Sequence, residues 1–164
     1  MKIYFASDHA GFELKNTLLA FARDELKHEV SDCGAYALDP MDDYPAIIAT
    51  AAKKLSADFA ENRASVAIVI GGSGQGEAMV ANRFRGVRCA LYYGEAARSQ
   101  TDMSGKKLDV LSSTREHNDA NALSLGARFL TPDEAKEAVR TWLSIPFSND
   151  ERHFRRSRAI DDVA

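Results

Sequence analysis

Three groups of residues in this chain have the types and spacing to do chemistry. The first is Val66-Ala-Ile-Val-Ile-Gly-Gly-Ser-Gly-Gln-Gly-Glu77, an apolar run ending in four glycines, Ser73 and Gln75, then a carboxylate. Glycines after a buried strand let successive backbone N–H groups converge on one point, which makes a concave anion site. Glu77 at its edge adds a proton acceptor, so the combination fits proton transfer on an anionic or enolising ligand. The loop is neither a dinucleotide fingerprint nor a P-loop. Glu77 stands where the third glycine of the former belongs, and no Gly-Lys-Ser/Thr follows. The second group, Asp8-His9, follows the first strand directly. Asp8 suits a helix cap, and His9 beside a helix N-terminus suits phosphate binding or proton transfer. The third, Glu116-His117-Asn118-Asp119, precedes the last strand, and its residue types alone also fit a solvated loop. Arg152 and Arg156 are four apart on one helical face and suit a phosphate.

The elements that must position these groups alternate from the start. Strands are expected at Lys2 to Ala6, His28 to Asp32, Ser65 to Ile70, Val87 to Tyr92 and Asn121 to Leu125. Helices are expected at Gly11 to Leu26, Tyr44 to about Ala60, around Ala78 to Phe84, and from Thr131-Pro132 onward, where a cap, an N1 proline and first-turn acids coincide. Ala35 to Asp43 reads as a loop. This alternation predicts an α/β fold: a three-layer α/β/α sandwich with a five-stranded parallel sheet, Rossmann-like, in the doubly wound strand order 2-1-3-4-5. The switch point then lies between the first and third strands, so Asp8-His9 and the glycine loop meet in one crevice. Residues 1–146 form the single domain, and 147–164 form an Arg-rich helical tail expected to pack on a partner subunit.

Bulk properties exclude several classes. The 164 residues suffice for one domain, and 21 Lys+Arg against 24 Asp+Glu give net −3, with no basic field for nucleic acid or membrane. No run reaches membrane-helix length. The N-terminus has no signal-peptide pattern. Cys33 and Cys89 form no CxxC pair and read as buried small residues. A cytoplasmic protein with reduced thiols is the expectation.

Taken together, Ser7-Asp-His-Ala-Gly-Phe-Glu-Leu-Lys15, Asp43-Tyr44-Pro45, Gly72-Ser-Gly-Gln-Gly-Glu77, Ala81-Asn82, Arg115-Glu-His-Asn-Asp-Ala-Asn121, Leu125-Gly-Ala-Arg128 and Arg152-His153 run in the order of a known family. The chain resembles the B-type ribose-5-phosphate isomerases, whose family includes the galactose-6-phosphate isomerase subunits. The resemblance covers nearly the whole chain. It implies a ribose 5-phosphate/ribulose 5-phosphate isomerase working without metal or organic cofactor, as a homodimer (or a tetramer) with sites shared across the interface. Other sugar phosphates (allose 6-phosphate, galactose 6-phosphate, a tetrose phosphate) and a non-catalytic sugar-phosphate-binding module are the alternatives. Many members carry a catalytic cysteine at the end of the third strand. Here that position is Gly71, so the chain resembles the subgroup whose loop glutamate takes the C2 proton.

That resemblance makes Glu77 the base, with Ser73 orienting it or the substrate. It implicates Asp8 and His117 in handling the sugar ring, His117 as ring-opening acid/base. Asn118 and the amides from Gly72 to Gly76, including Gly74 and Gln75, would stabilise the enediolate. His9, Arg128, Arg152, His153 and Arg156 would receive the phosphate, and Tyr44 would line the sugar pocket. Ser99 to Ser113 lengthen the usual passage to the His117 motif. They read as a tolerated surface insertion, or else as a piece over the substrate mouth or against the partner that alters sugar preference.

Overall fold

The computed structural model describes residues 1–103 and 105–163. Ser104 of the extra segment and Ala164 of the tail lie outside the described residues. Five parallel strands make the sheet: β1 (Lys2–Ser7), β2 (Glu29–Asp32), β3 (Ser65–Gly71), β4 (Cys89–Tyr92) and, after a two-stranded antiparallel hairpin of β5 (Gln100–Thr101) and β6 (Lys107–Leu108), β7 (Ala122–Gly126). Strand side chains alternate between faces, and both faces of this sheet are covered. Ile3, Phe5, Ile68, Leu123 and Leu125 join one core with Leu18, Phe21 and Trp142, beneath α1 (Phe12–Asp24) and α5 (Pro132–Ser144). Tyr4, Ala6, Ala67 and Val69 join the other with Ile48, Leu55 and Ala81, beneath α2 (Tyr44–Ala60) and α3 (Gln75–Ala81). The expected three-layer α/β/α sandwich is therefore present.

One detail of the expected topology is corrected. The order is β2-β1-β3-β7-β4, so the last sheet strand inserts between the third and the fourth. In register, β7 pairs with β3 (Ile68↔Leu123) and with β4 (Ala90↔Leu123). The physical reason is burial: all of Ala122–Gly126 is buried, whereas Cys89–Tyr92 is only half-buried and suits an edge. The switch point between β1 and β3 is unaffected, because the exchange happens on the far side of β3.

Local signals explain the element ends. Asp8 caps a 3₁₀ turn, His9–Gly11, ahead of α1, accepting from the Ala10 and Gly11 amides at 3.0 and 3.1 Å. Thr131 and Glu134 form a reciprocal capping box on α5. Helix α3 begins at Gln75, three residues before the expected start, because Gly74 takes a left-handed conformation (φ 71°) that ends the loop early. Glu77 is thereby in the first turn of a helix instead of ahead of it. A short helix, α4 (Val110–Glu116), capped by Asp109, occupies sequence expected to be loop. The tail forms α6 (Glu151–Asp161), anchored to its own chain by Asp161, which accepts from Arg88 at 3.0 and 3.1 Å.

Ile68 lies at the centre of β3 with no exposed surface. Ile68→Ala should lower unfolding free energy by about 3 kcal/mol in urea titration, the usual cost of a core cavity.

Candidate active site

The site begins where β1 and β3 end. Gly71 closes β3, and a Cβ built on it falls inside the Glu77 carboxylate. The carboxylate thus occupies the space that any side chain at position 71 would need. Glu77 is 4% exposed, and burial, aided by the nearby Asp8 charge, holds its carboxyl above the usual range. A carboxylate poised this way is a better base near neutrality than an exposed glutamate.

Around it, Asp8, His9, Tyr44, Gly72, Ser73, Gln75, Gly76, Met79 and Arg128 line an open cleft of about 430 Å³. Gly76 admits the Tyr44 ring, since a Cβ there would approach its Cζ to 2.6 Å. Over Gly72 lies the Arg128 guanidinium, 3.2 Å from an added Cβ, while the Arg128 amide donates to the Gly72 carbonyl at 3.1 Å. Gly74 is held by Ser124, whose hydroxyl donates to its carbonyl at 2.6 Å. Ser73 Oγ accepts from the Gln75 amide at 3.3 Å, a bond within the loop and not to Glu77. His9 donates its backbone N–H to Asp42 Oδ1 at 3.1 Å, and its Nδ1 stands 2.7 Å from the same oxygen. The sequence reading passed over Asp42 and Met79. Asp42 is one of three acids from Asp39 to Asp43, and nothing in that run marks one carboxylate from the next. Asp8, His9 and Asp42 also place possible metal-ligand atoms within 4.8 Å of one another.

A second group assembles elsewhere. Asp102, Met103, Leu108, His117, Asn118, Asp150, Arg152, His153 and Arg156 line another cavity of about 430 Å³. The His117 and His153 rings lie 4.4 Å apart, tilted by 34°. Burial first, and then the neighbouring His117, push the His153 imidazole below its usual pKa. The two guanidinium groups in one cavity repel one another, which an anion would relieve. Within the Arg115 to Asn121 motif the labour divides. Asp119 pairs with Arg88 at 2.8 Å, and Asn121 accepts from the Arg88 amide at 2.8 Å, tying the loop down while His117 and Asn118 face the cavity. The hairpin of the extra segment supplies Met103 and Leu108 to the same wall.

Every residue expected in the site except Gly74, which turns the loop behind the first cleft, therefore lines one of two cavities, but within one chain those cavities share no residue. Glu77, Ser73, Asp8, His9, Tyr44, Gln75, Arg128, Gly72 and Gly76 lie in the first. His117, Asn118, Arg152, His153 and Arg156 lie in the second. A groove along α3 and β4, with Met79, Val80, Arg83 and Leu91, adjoins the first cleft through Tyr44, Gln75 and Gly76. Cys89 in that groove is half-buried, and the desolvation of its sulfur raises the thiol to about 12.

The sequence profile of the Ribose/Galactose Isomerase family matches residues 3–160. The chain belongs to that family. It is 38% identical over 156 residues to ribose-5-phosphate isomerase B of Mycolicibacterium paratuberculosis, covering 95% of this chain and 87% of the relative. Among solved structures, the Mycoplasma genitalium ribose-5-phosphate isomerase B with bound ribulose-5-phosphate superposes with TM-score 0.81 at 30% identity, over 99% and 95% of the two chains. The Thermotoga maritima enzyme gives 0.77 at 36%, over 98% and 97%.

Glu77 also has a stability consequence with a definite sign. A carboxyl whose folded pKa is raised destabilises the fold when charged; the penalty is absent below the unfolded pKa and complete above the folded one. Glu77→Gln should therefore be more stable than the parent at pH 7.5, with the difference vanishing toward pH 4, as read by urea unfolding at both pH values.

Proposed function

We propose that this protein interconverts ribose 5-phosphate and ribulose 5-phosphate through an enediolate, with Glu77 as the base. The observation that carries the reading is the buried Glu77 carboxylate in the place of a residue-71 side chain, within a glycine loop at the switch point. His117 opens the sugar ring by acid/base catalysis, with Asp8 holding the ring hydroxyls. Glu77 then takes the C2 proton, and the electron pair forms the C1–C2 double bond as charge moves to the C1 oxygen. Amides of the loop from Gly72 to Gly76, together with Asn118, stabilise that oxygen. The C1 oxygen then takes a proton while the C2 hydroxyl gives one up, and as the C2 carbonyl forms the same carbon-bound proton returns from Glu77 to C1, so that no electron leaves the substrate. His9, Arg128, Arg152, His153 and Arg156 take the phosphate, and Tyr44 walls the sugar.

The separation of the two cavities is the reason to assign a second copy. His117 and the tail arginines of one subunit would complete the Glu77 cleft of its partner, with the half-buried α3–β4 groove and its 69%-exposed Met79 as the surface between. The tail stays tethered to its own body by Arg88–Asp161 and presents its arginines outward. Two free cysteines fit a reducing cytoplasm, and among the described residues no helix is long and apolar enough to cross a membrane.

Glu77→Gln should lower kcat by about 10³-fold or more while substrate affinity stays within a few-fold, measured by turnover and by solvent-deuterium incorporation at C2. Retained turnover would remove Glu77 from the mechanism. A run of ribose, allose, galactose and erythrose phosphates should give the highest kcat/KM for ribose 5-phosphate.

Mixing subunits tests the shared site directly. Glu77→Gln and His117→Asn homodimers should each be inactive. Unfolding and refolding them together should restore up to about a quarter of parental activity, because half of the dimers carry one intact site of two. No recovery would place both residues in one subunit's site.

A further inference from the structure

The loop between β2 and α2 has a function that the isomerase reading leaves unassigned. It is fixed at both ends. The Gly34 carbonyl accepts from the Ser7 amide at 2.8 Å, and the Ala35 amide donates to the Ser7 carbonyl at 2.7 Å. Lys15, fully buried, donates to both Asp32 oxygens at 2.7 and 2.8 Å and to the Ala35 carbonyl at 2.6 Å. At the far end, Asp42 donates its amide to the Asp39 carbonyl and presents its side chain, only 10% exposed, to His9. A single oxygen, Oδ1, takes both the His9 backbone N–H and the ring at Nδ1, so the carboxylate fixes ring and backbone together.

We propose that Asp42 is a positioning residue for the substrate phosphate, fixing His9 so that its second ring nitrogen donates to the anion only when the imidazole is fully protonated. The argument is one of donors. With Nδ1–H given to Asp42, a neutral ring has only a lone pair at Nε2 and would meet a phosphate oxygen with another acceptor. The imidazolium has N–H groups at both ends and can bridge carboxylate and phosphate. Asp42 supports that charged form, and Asp8 adds to it. Arg128, on the other wall of the cleft, opposes it, while Glu77 and Tyr44 are the remaining titratable groups lining the same space. The hydrogen bond from Asp42 is the largest influence, and it holds the His9 pKa above its usual value.

A pH window follows. Phosphate monoesters become dianions above about pH 6. Binding through His9 therefore strengthens as the ester loses its second proton and weakens once His9 deprotonates at higher pH.

This rests on the phosphate assignment above, and the experiment separates the two. His9 is titrated by ¹H–¹⁵N NMR in the parent and in Asp42→Asn, with and without inorganic phosphate, and KM for ribose 5-phosphate is followed from pH 6 to 9. The expected result is a lower His9 pKa in Asp42→Asn, and a KM raised about ten-fold at pH 8, the worth of one charge-assisted hydrogen bond. The larger effect falls on KM, less on kcat, and the alkaline limb moves to lower pH. Asp42→Glu, which keeps the charge, should recover part of the profile. An unchanged His9 titration, or a kcat loss with an unmoved KM profile, would overturn the role of Asp42. A parent without turnover would overturn the isomerase reading instead, and the NMR titration with inorganic phosphate would still decide the pairing.

Discussion

A carboxylate held out of water at the carboxyl end of β3 is the constraint around which the rest is arranged. The main chain must leave a vacancy for it, and Gly71 does so by lacking a side chain. Gly74 must then turn through a left-handed conformation so that α3 starts early enough to aim its first turn back at the strand. Ser124 secures that turn from the neighbouring strand, which is only possible because β7 lies next to β3. The exchange of β7 and β4 relative to the commoner order thus bears directly on the site. A fully buried strand with an inward hydroxyl borders the glycine loop, and the half-buried β4 goes to the edge, where it borders the groove assigned to a partner.

The same vacancy gives a physical reading of the relationship between a cysteine at position 71 and a glutamate at position 77. In this chain the Glu77 carboxylate fills the volume that a side chain at position 71 would need, so one of the two would have to move. A base delivered from the helix stands over the end of the strand; a base carried by the strand would occupy that space itself. The two solutions place a proton acceptor in the same volume from different backbones. Chemistry at this position is therefore set by which backbone element gives up its side chain.

Much of the fold was legible because burial imposes a pattern on sequence. Val66 to Gly71 is uniformly apolar because both faces are covered, and Thr131-Pro132-Asp133-Glu134 writes out a capping box. The order of the last two strands was less legible. Cys89-Ala-Leu-Tyr92 and Ala122-Leu-Ser-Leu-Gly126 are equally apolar, and what separates them is how far each is covered, a property of packing. The site residues were found by motif, and the crevice rule placed Asp8, His9 and the glycine loop together. That His117 and Arg152 lie in another cavity of the same chain could not be read from residue types, since a motif carries no information on which copy it serves. Asp42 went unnoticed for a different reason. In an acidic loop every carboxylate looks solvated, and only the fixed ends of that loop single out one that is nine-tenths buried.

The two cavities also differ in how they meet charge. The first places Asp8 and Glu77 beside His9 and Arg128, and His9 pairs with Asp42 at 2.7 Å. In the second, Arg152, Arg156, His117 and His153 gather beside Asp150 and Asp102, and burial drives the His153 imidazole toward neutrality. Closing one over the other would bring an excess of cations against a cleft whose carboxylates are partly spent on its own hydrogen bonds. On the proposed mechanism a phosphate dianion would supply the counter-charge at a pH where Glu77 is ionised. Binding and catalysis would then depend on the same window: the ester must have lost its second proton and Glu77 its only one, while His9 keeps both of its own. In that scheme Asp42 would widen the window from the alkaline side, and the burial that raises the Glu77 carboxyl would narrow it from the acid side.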